Sequence, residues 1–134
     1  MTEAKGAFAI LVNKNKNKIL MHLRDNKKEI YYPELWGLIG GGIEKGETPL
    51  IALKREIKEE INCKVENLKF LGTCKNGSIF AFRGEIKAKV EEIKLMEGQK
   101  VDYFSIDELG DLEVIDFIRD FILENKDRLF LSKE

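Results

Sequence analysis

Long apolar runs, an excess of either charge sign and cysteines with metal-ligand companions are all missing from this 134-residue chain. With no apolar stretch near the length of a membrane span, a transmembrane helix is not expected. The formal net charge is −1, so no global basic field draws the chain to a polymer, and nucleic acid is not an expected partner. The start, MTEAKGAFAILV, lacks a basic segment followed by a cleavable apolar stretch, so a cytoplasmic protein is expected. Cys63 and Cys74 are too few for a disulfide framework and are read as reduced and structural. No internal repeat or low-complexity linker divides the chain. Its length suffices for one sizeable core and not for two, so residues 1–134 are expected to form a single domain.

What is present is an α/β pattern. Residues 6–12 are a near-continuous apolar run of strand length, and the polar NKNKNK stretch turns the chain into a second strand over 18–24. A charged loop over 25–34 ends in Tyr31, Tyr32 and Pro33, and a short strand over 35–39 leads into a glycine loop. Strands are expected over 68–73 and 78–86 around Asn76-Gly77, a dipeptide suited to tight hairpin turns. A polar connection over 91–98 precedes a strand over 101–105 and a short helical turn over 106–110. Ile115, Ile118, Phe121 and Ile122 recur at helical spacing within 114–124, so this last helix should pack on the sheet.

The most informative segment is GGGIEKGETPLIALKREIKEEINC, residues 40–63. Thr48 followed by Pro49 marks a helix start, with a hydroxyl to cap free N–H groups and a proline preset for the first turn. In the helix that runs from there to about Ile61, Glu56, Glu59 and Glu60 fall at i, i+3 and i+4 and share one face. Three carboxylates so close repel one another, and a hard cation relieves the repulsion: Mg²⁺ or Mn²⁺ takes oxygen ligands and bridges to phosphates. Solvated helices carry similar charge runs, but the glycines ahead add a second element, since Gly40, Gly41 and Gly42 permit close backbone approach to an ion or ligand. No lysine followed by Ser or Thr closes the glycine run, and no G-x-G-x-x-G spacing occurs, so the chemistry must be carried by carboxylates and metal.

These residues resemble the Nudix hydrolase family and its MutT-like, nucleoside-triphosphate type. The family signature is G-x5-E-x7-R-E-U-x-E-E-x-G-U, U being a bulky aliphatic residue. It is met by Gly41, Glu47, Arg55, Glu56, Ile57, Glu59 and Glu60; Asn62 and Cys63 stand where a glycine and an aliphatic residue are usual. Asn is the next best residue for the left-handed conformation that ends a helix, so that departure is mild. The resemblance implies an α/β/α sandwich, with a mixed sheet between helices. It also implies a metal set of Gly40, through its carbonyl, with Glu56, Glu59 and Glu60. Nudix proteins of this type place a further glutamate before the last strand, sometimes in an EGQ triplet, and Glu97-Gly98-Gln99 matches it, with Glu91 and Glu92 as alternatives. Glu59, Glu60 or Glu97 would accept the proton of the attacking water, and spacing does not choose among them. Arg55 can brace the loop through a two-pronged pair with Glu47, or contact phosphate.

The implied reaction is hydrolysis of a nucleoside diphosphate linked to another group X, foremost a nucleoside triphosphate, normal or damaged, cleaved to monophosphate and pyrophosphate. Nucleotide sugars, dinucleoside polyphosphates, capped RNA ends and a non-catalytic binding role are the alternatives. Substrate-binding candidates are Arg24, which aligns with a position that contacts phosphate or base, and His22, two residues away on the same strand face. Tyr32 is a further candidate, as a base-stacking ring along with Tyr31, Trp36, Phe80 and Phe82, although core packing explains the last three as well. Asp111 falls near a base-reading position. The protein is expected as a monomer or a homodimer.

Overall fold

A computed structural model describes residues 5–27 and 32–130 of the chain. The first apolar run forms β1 (Gly6–Asn13), and the polar turn returns it as β2 (Lys18–Leu23). The two strands pair only near the turn, Val12 with Ile19 and Asn13 with Lys18. Beyond that they part, and the following chain fills the fork. β3 (Trp36–Gly37) pairs with the end of β2, and β4 (Ile39–Gly42) runs antiparallel to the start of β1.

The single strand expected over 35–39 is therefore two strands, and the glycine run expected as a loop is mostly strand. Leu38 is the point at which the chain changes partner from β2 to β1. Close packing in the fork is what requires glycine: a Cβ at Gly40, whose φ is +152°, would run into the Ala7 carbonyl oxygen and Phe8 of β1.

After α1 (Pro49–Glu60), β5 (Glu66–Cys74) and β6 (Ile79–Glu85) form a hairpin. β6 lies parallel to β1 along its whole length, from Gly6 beside Ile79 to Val12 beside Glu85. β7 (Lys100–Phe104) pairs antiparallel with β2, and α2 (Asp116–Glu124) follows. One parallel pair among antiparallel ones makes the sheet mixed. Alternation along β1 then builds two cores. Ala7, Ala9 and Leu11 pack with Leu53, Ile57 and Ile61 of the α1 layer, while Ile10 and Val12 pack with Ile118, Phe121 and Ile122 of the α2 layer. The result is the expected α/β/α sandwich.

The helix boundaries have local causes. Thr48 Oγ1 accepts from the Ile51 amide at 3.2 Å, and Pro49 is the first helical residue. α2 begins at Asp116 rather than 114 because the backbone just before it is used by β3: Trp36 N–H donates to Glu113 O at 2.8 Å, and Ile115 N–H donates to Trp36 O at 3.0 Å. Cys63 packs in the α1 layer and Cys74 in the α2 layer, so the sheet separates the two free thiols. Among the described residues, no helix is long and apolar enough to cross a membrane.

α1 ends as the sequence suggested: Ile61 and Asn62 both donate to the Ile57 carbonyl, and Asn62 has φ +46°. Asn62→Val puts a β-branched side chain in that left-handed position and should lower the unfolding free energy by about 1–2 kcal/mol. Asn62→Gly should leave it unchanged or raise it slightly; urea denaturation reads both.

Candidate active site

The turn between β4 and α1 is organised by one guanidinium. Arg55 Nε and Nη2 donate to the two oxygens of Glu47 at 2.7 and 2.9 Å, the two-pronged pair that the spacing suggested. Nη2 also donates to the Gly42 carbonyl at 2.9 Å, and Nη1 to Glu56 at 2.9 Å and Glu59 at 3.3 Å. Arg55 thus joins the glycine strand, the turn and the acidic face of α1. The hydrogen bond from Arg55, followed by that from the Glu44 amide, holds the Glu47 carboxyl down at about 2. The same bond to Glu47 keeps the guanidinium firmly protonated.

The three helix glutamates do not share one environment. Glu59 points to solvent, with its side chain 55% exposed. Glu56 lies against β4, where a Cβ on Gly41 would stand 2.6 Å from its carboxyl carbon; only glycine leaves that room. Glu60 is 3% exposed, and its Oε1 has no hydrogen-bond partner among the described residues. Burial, then the hydrogen bond and negative charge of Glu56, with a further contribution from Glu97, push its carboxyl up to about 10, while a hydrogen bond with the Gly40 backbone acts in the opposite direction. Glu97 itself is exposed in the chain leading to β7, close enough for its charge to reach Glu60.

A buried carboxyl with an orphaned oxygen beside a second carboxylate is unfavourable as it stands. A divalent cation with a preference for oxygen would supply the missing partner and cancel the repulsion, so this donor set fits Mg²⁺ or Mn²⁺. Glu56 and Glu60 are the residues best placed to hold it, with Glu59, Glu97 and the Gly40 backbone around them. Among the described residues no three acidic, histidine or cysteine side chains are already gathered as a ligand set; Glu56 and Glu59 are engaged by Arg55.

The backbone of Gly40, Gly41 and Gly42 also lines a cleft of about 1000 Å³. Arg24 and Tyr32, two of the residues singled out in the sequence, contribute to its walls. His22 and Asp111 do not. Arg24 lies beyond the end of β2, so the alternation that put it on one face with His22 no longer applies. His22 is instead 4% exposed and donates from Nε2 to the Glu97 carbonyl at 2.8 Å. Asp111 ends a 3-10 turn that buries Leu109 and leaves Asp111 in solvent. Tyr31 lies outside the described residues. Trp36 and Phe82 are buried in the two cores, with Phe80 packed against one of them, and none of the three lines the cleft.

Sequence reasoning missed Phe8, Lys75 and Phe117. Lys75, at the tip of the β5–β6 hairpin, donates to Tyr32 Oη at 2.8 Å and stands 5.2 Å from the ring centroids of both Tyr32 and Phe117. Phe117 carried a readable signal, since it is an aromatic residue set off the apolar stripe of α2. Phe8 and Lys75 carried none.

Residues 3–123 match the family model described as NUDIX domain. The chain is 27% identical over 108 residues to an RNA pyrophosphohydrolase of Psychromonas ingrahamii, covering 81% of this chain and 56% of that protein. It is 30% identical over 63 residues to an 8-oxo-dGTP diphosphatase of Buchnera aphidicola, covering 47% of this chain and 45% of the relative. The match thus spans about half the length of these relatives. A solved structure from work on MutT of Aliivibrio salmonicida and Vibrio cholerae superposes with a TM-score of 0.73 at 19% identity, covering 96% of this chain and 100% of the other, a likeness of fold.

The Glu60 environment sets a pH dependence. Its folded-state value lies above the ordinary 4.5 of a carboxylate. Its contribution to stability is therefore full below that value and is lost as pH rises toward 10. In EDTA, Glu60→Gln should be more stable than the parent at about pH 8 by about 1–2 kcal/mol, with the gap closing near pH 4. Urea denaturation at the two pH values checks this; an equal gap at both would remove the buried-charge explanation.

Proposed function

Since the chain belongs to the Nudix hydrolase family, we propose that it is a pyrophosphohydrolase dependent on Mg²⁺ or Mn²⁺ that cleaves a nucleoside diphosphate linked to X. A nucleoside triphosphate, normal or damaged, is the leading substrate, giving a monophosphate and pyrophosphate. One observation carries this reading: the Gly40–Gly42 backbone forms a wall of the cleft, while Gly41 admits the Glu56 carboxylate against the same strand, beside buried Glu60. A nucleotide seated in the cleft would thus bring its phosphates to the acidic face of α1. The names of the two curated relatives, an RNA pyrophosphohydrolase and an 8-oxo-dGTP diphosphatase, are in keeping with this reaction class.

A phosphoric anhydride is kinetically inert because its own charge repels nucleophiles, so catalysis rests on neutralising that charge and aligning the attack. The cation supplies the neutralisation when bound. Glu56 and Glu60 would hold it, assisted by Glu59 and Glu97. A carboxylate oxygen of Glu59, Glu60 or Glu97 takes the proton of the attacking water. Arg55 keeps Glu56 and the glycine strand in register from outside the reaction. In the cleft, Arg24 and Lys75 bring positive charge to an anionic substrate, and the rings of Tyr32 and Phe117 offer apolar faces to a base.

The test is pyrophosphate and phosphate release from nucleoside triphosphates, oxidised nucleotides, nucleotide sugars, dinucleoside polyphosphates and RNA 5′ ends, with Mg²⁺, Mn²⁺ or EDTA. The expected result is metal-dependent pyrophosphate release from a triphosphate, abolished by EDTA. Glu56→Gln and Glu60→Gln should each cost more than the roughly 10–100-fold lost when an outer partner of a metal site is removed. Unchanged turnover in both variants would overturn the assignment of the metal site.

A further inference from the structure

The segment that carries Glu97 is pinned at four points, and three of them lie at the end of β2. On the α1 side, Met96 N–H donates to the Glu60 carbonyl at 2.8 Å. On the β2 side, His22 Nε2 meets the Glu97 carbonyl at 2.8 Å, Gln99 N–H donates to the Leu23 carbonyl at 2.9 Å, and the Gln99 side-chain amide donates to the Arg24 carbonyl at 2.8 Å. A carbonyl only accepts, so the His22 proton sits on Nε2. Gly98 completes the fit: its φ is +94°, and a Cβ there would collide with His22 Nε2. The Glu97-Gly98-Gln99 triplet is thus a carboxylate followed by a residue without a side chain, which lets a buried imidazole approach, and then a glutamine whose backbone and side-chain N–H groups lock the chain to the carbonyls of Leu23 and Arg24, at and just past the end of β2.

We infer that His22 is a positioning residue for the proposed reaction, setting where the Glu97 carboxylate stands relative to Glu60 through its hydrogen bond to the Glu97 backbone. The inference rests on the reading of Glu97 as part of the metal site. Two features separate His22 from a buried histidine that only fills space. Its ring donates to the backbone of the residue whose charge reaches Glu60. The segment it holds is also tied through Met96 to Glu60 itself, so the two carboxylates are fixed to one frame. An outer partner of this kind typically changes metal affinity by about 10–100-fold when removed.

The experiment measures Mn²⁺ affinity, by the electron paramagnetic resonance signal of free Mn²⁺, in the parent, His22→Leu, His22→Gln, Glu97→Gln and the His22→Leu/Glu97→Gln double variant. Hydrogen exchange of residues 96–99 is measured alongside in the metal-free proteins. The expected result is that His22→Leu weakens Mn²⁺ binding about tenfold and speeds exchange in that segment. His22→Gln, which keeps an amide donor, should recover part of both. In the double variant, loss of His22 should add nothing to the loss from Glu97→Gln. If Glu97→Gln weakens Mn²⁺ binding but His22→Leu does not, or if the two losses simply add, the positioning role is overturned while the metal-site reading stands. If Glu97→Gln leaves Mn²⁺ affinity unchanged, Glu97 is no part of the site and the inference falls with that reading. Should His22→Leu fail to fold, His22→Gln and the exchange data decide alone: parent-like exchange with weakened binding overturns the role.

Discussion

The arrangement of the site depends on the Arg55 guanidinium. Its planar fork satisfies both oxygens of Glu47 and still reaches the Gly42 carbonyl, Glu56 and Glu59. No single-point cation could do this, because a lysine ammonium has three donors and no fixed plane. Without that link, the strand, the six-residue turn and the helix would be held by the chain itself and by the apolar core that Ile39 shares with Leu53 and Ile57, with the acidic groups left unanchored. With it, the acidic face of α1 and the backbone of β4 become one rigid unit, at a place where three carboxylates would otherwise push the chain apart.

That unit is assembled against local electrostatics. Glu60 is carried into a nearly dry environment with an unpartnered oxygen, and burial holds its carboxyl far from its ordinary value. Folding places it there through neighbours that gain by being buried, since Ile57 on α1 and Ile61 just past its end pack in the core. The hydrophobic face of the helix offsets the cost of the acidic one. This acidic face is an unfavourable part of an otherwise well-packed sandwich, as functional sites commonly are.

The acidic helix was legible in the sequence because its information is local. The i, i+3, i+4 glutamates, the Thr-Pro start and Asn62 at the end all act within a few residues, and the Asn76-Gly77 turn is local too, with Lys75, Asn76 and Gly77 at φ +53°, +59° and +80°. Where partners are remote in sequence, the reading failed. A two-residue strand such as Trp36–Gly37 has no periodicity to detect, and its existence depends on a fork between β1 and β2 that no single segment encodes. His22 looked like a cleft residue because its partner is a backbone carbonyl, which leaves no mark in the sequence. Asp111 lies away from the cleft because the 3-10 turn that it ends turns Leu109 inward and leaves Asp111 in solvent.

The wedge of β4 between the diverging strands also bears on how such a protein can change its preferences. One strand of four residues serves the cleft with its backbone and the acidic helix with the space left by its missing side chains. A bulkier residue at Gly40 or Gly41 would intrude on β1 or on Glu56, so the centre offers almost no room for gradual variation. Tyr32, Lys75 and Phe117 sit at the other extreme, on a loop, a hairpin tip and the less buried side of a helix, each outside the strands of the sheet. Change in what the cleft accepts is thereby confined to the rim, and the fold separates the part that must stay fixed from the part that is free to drift.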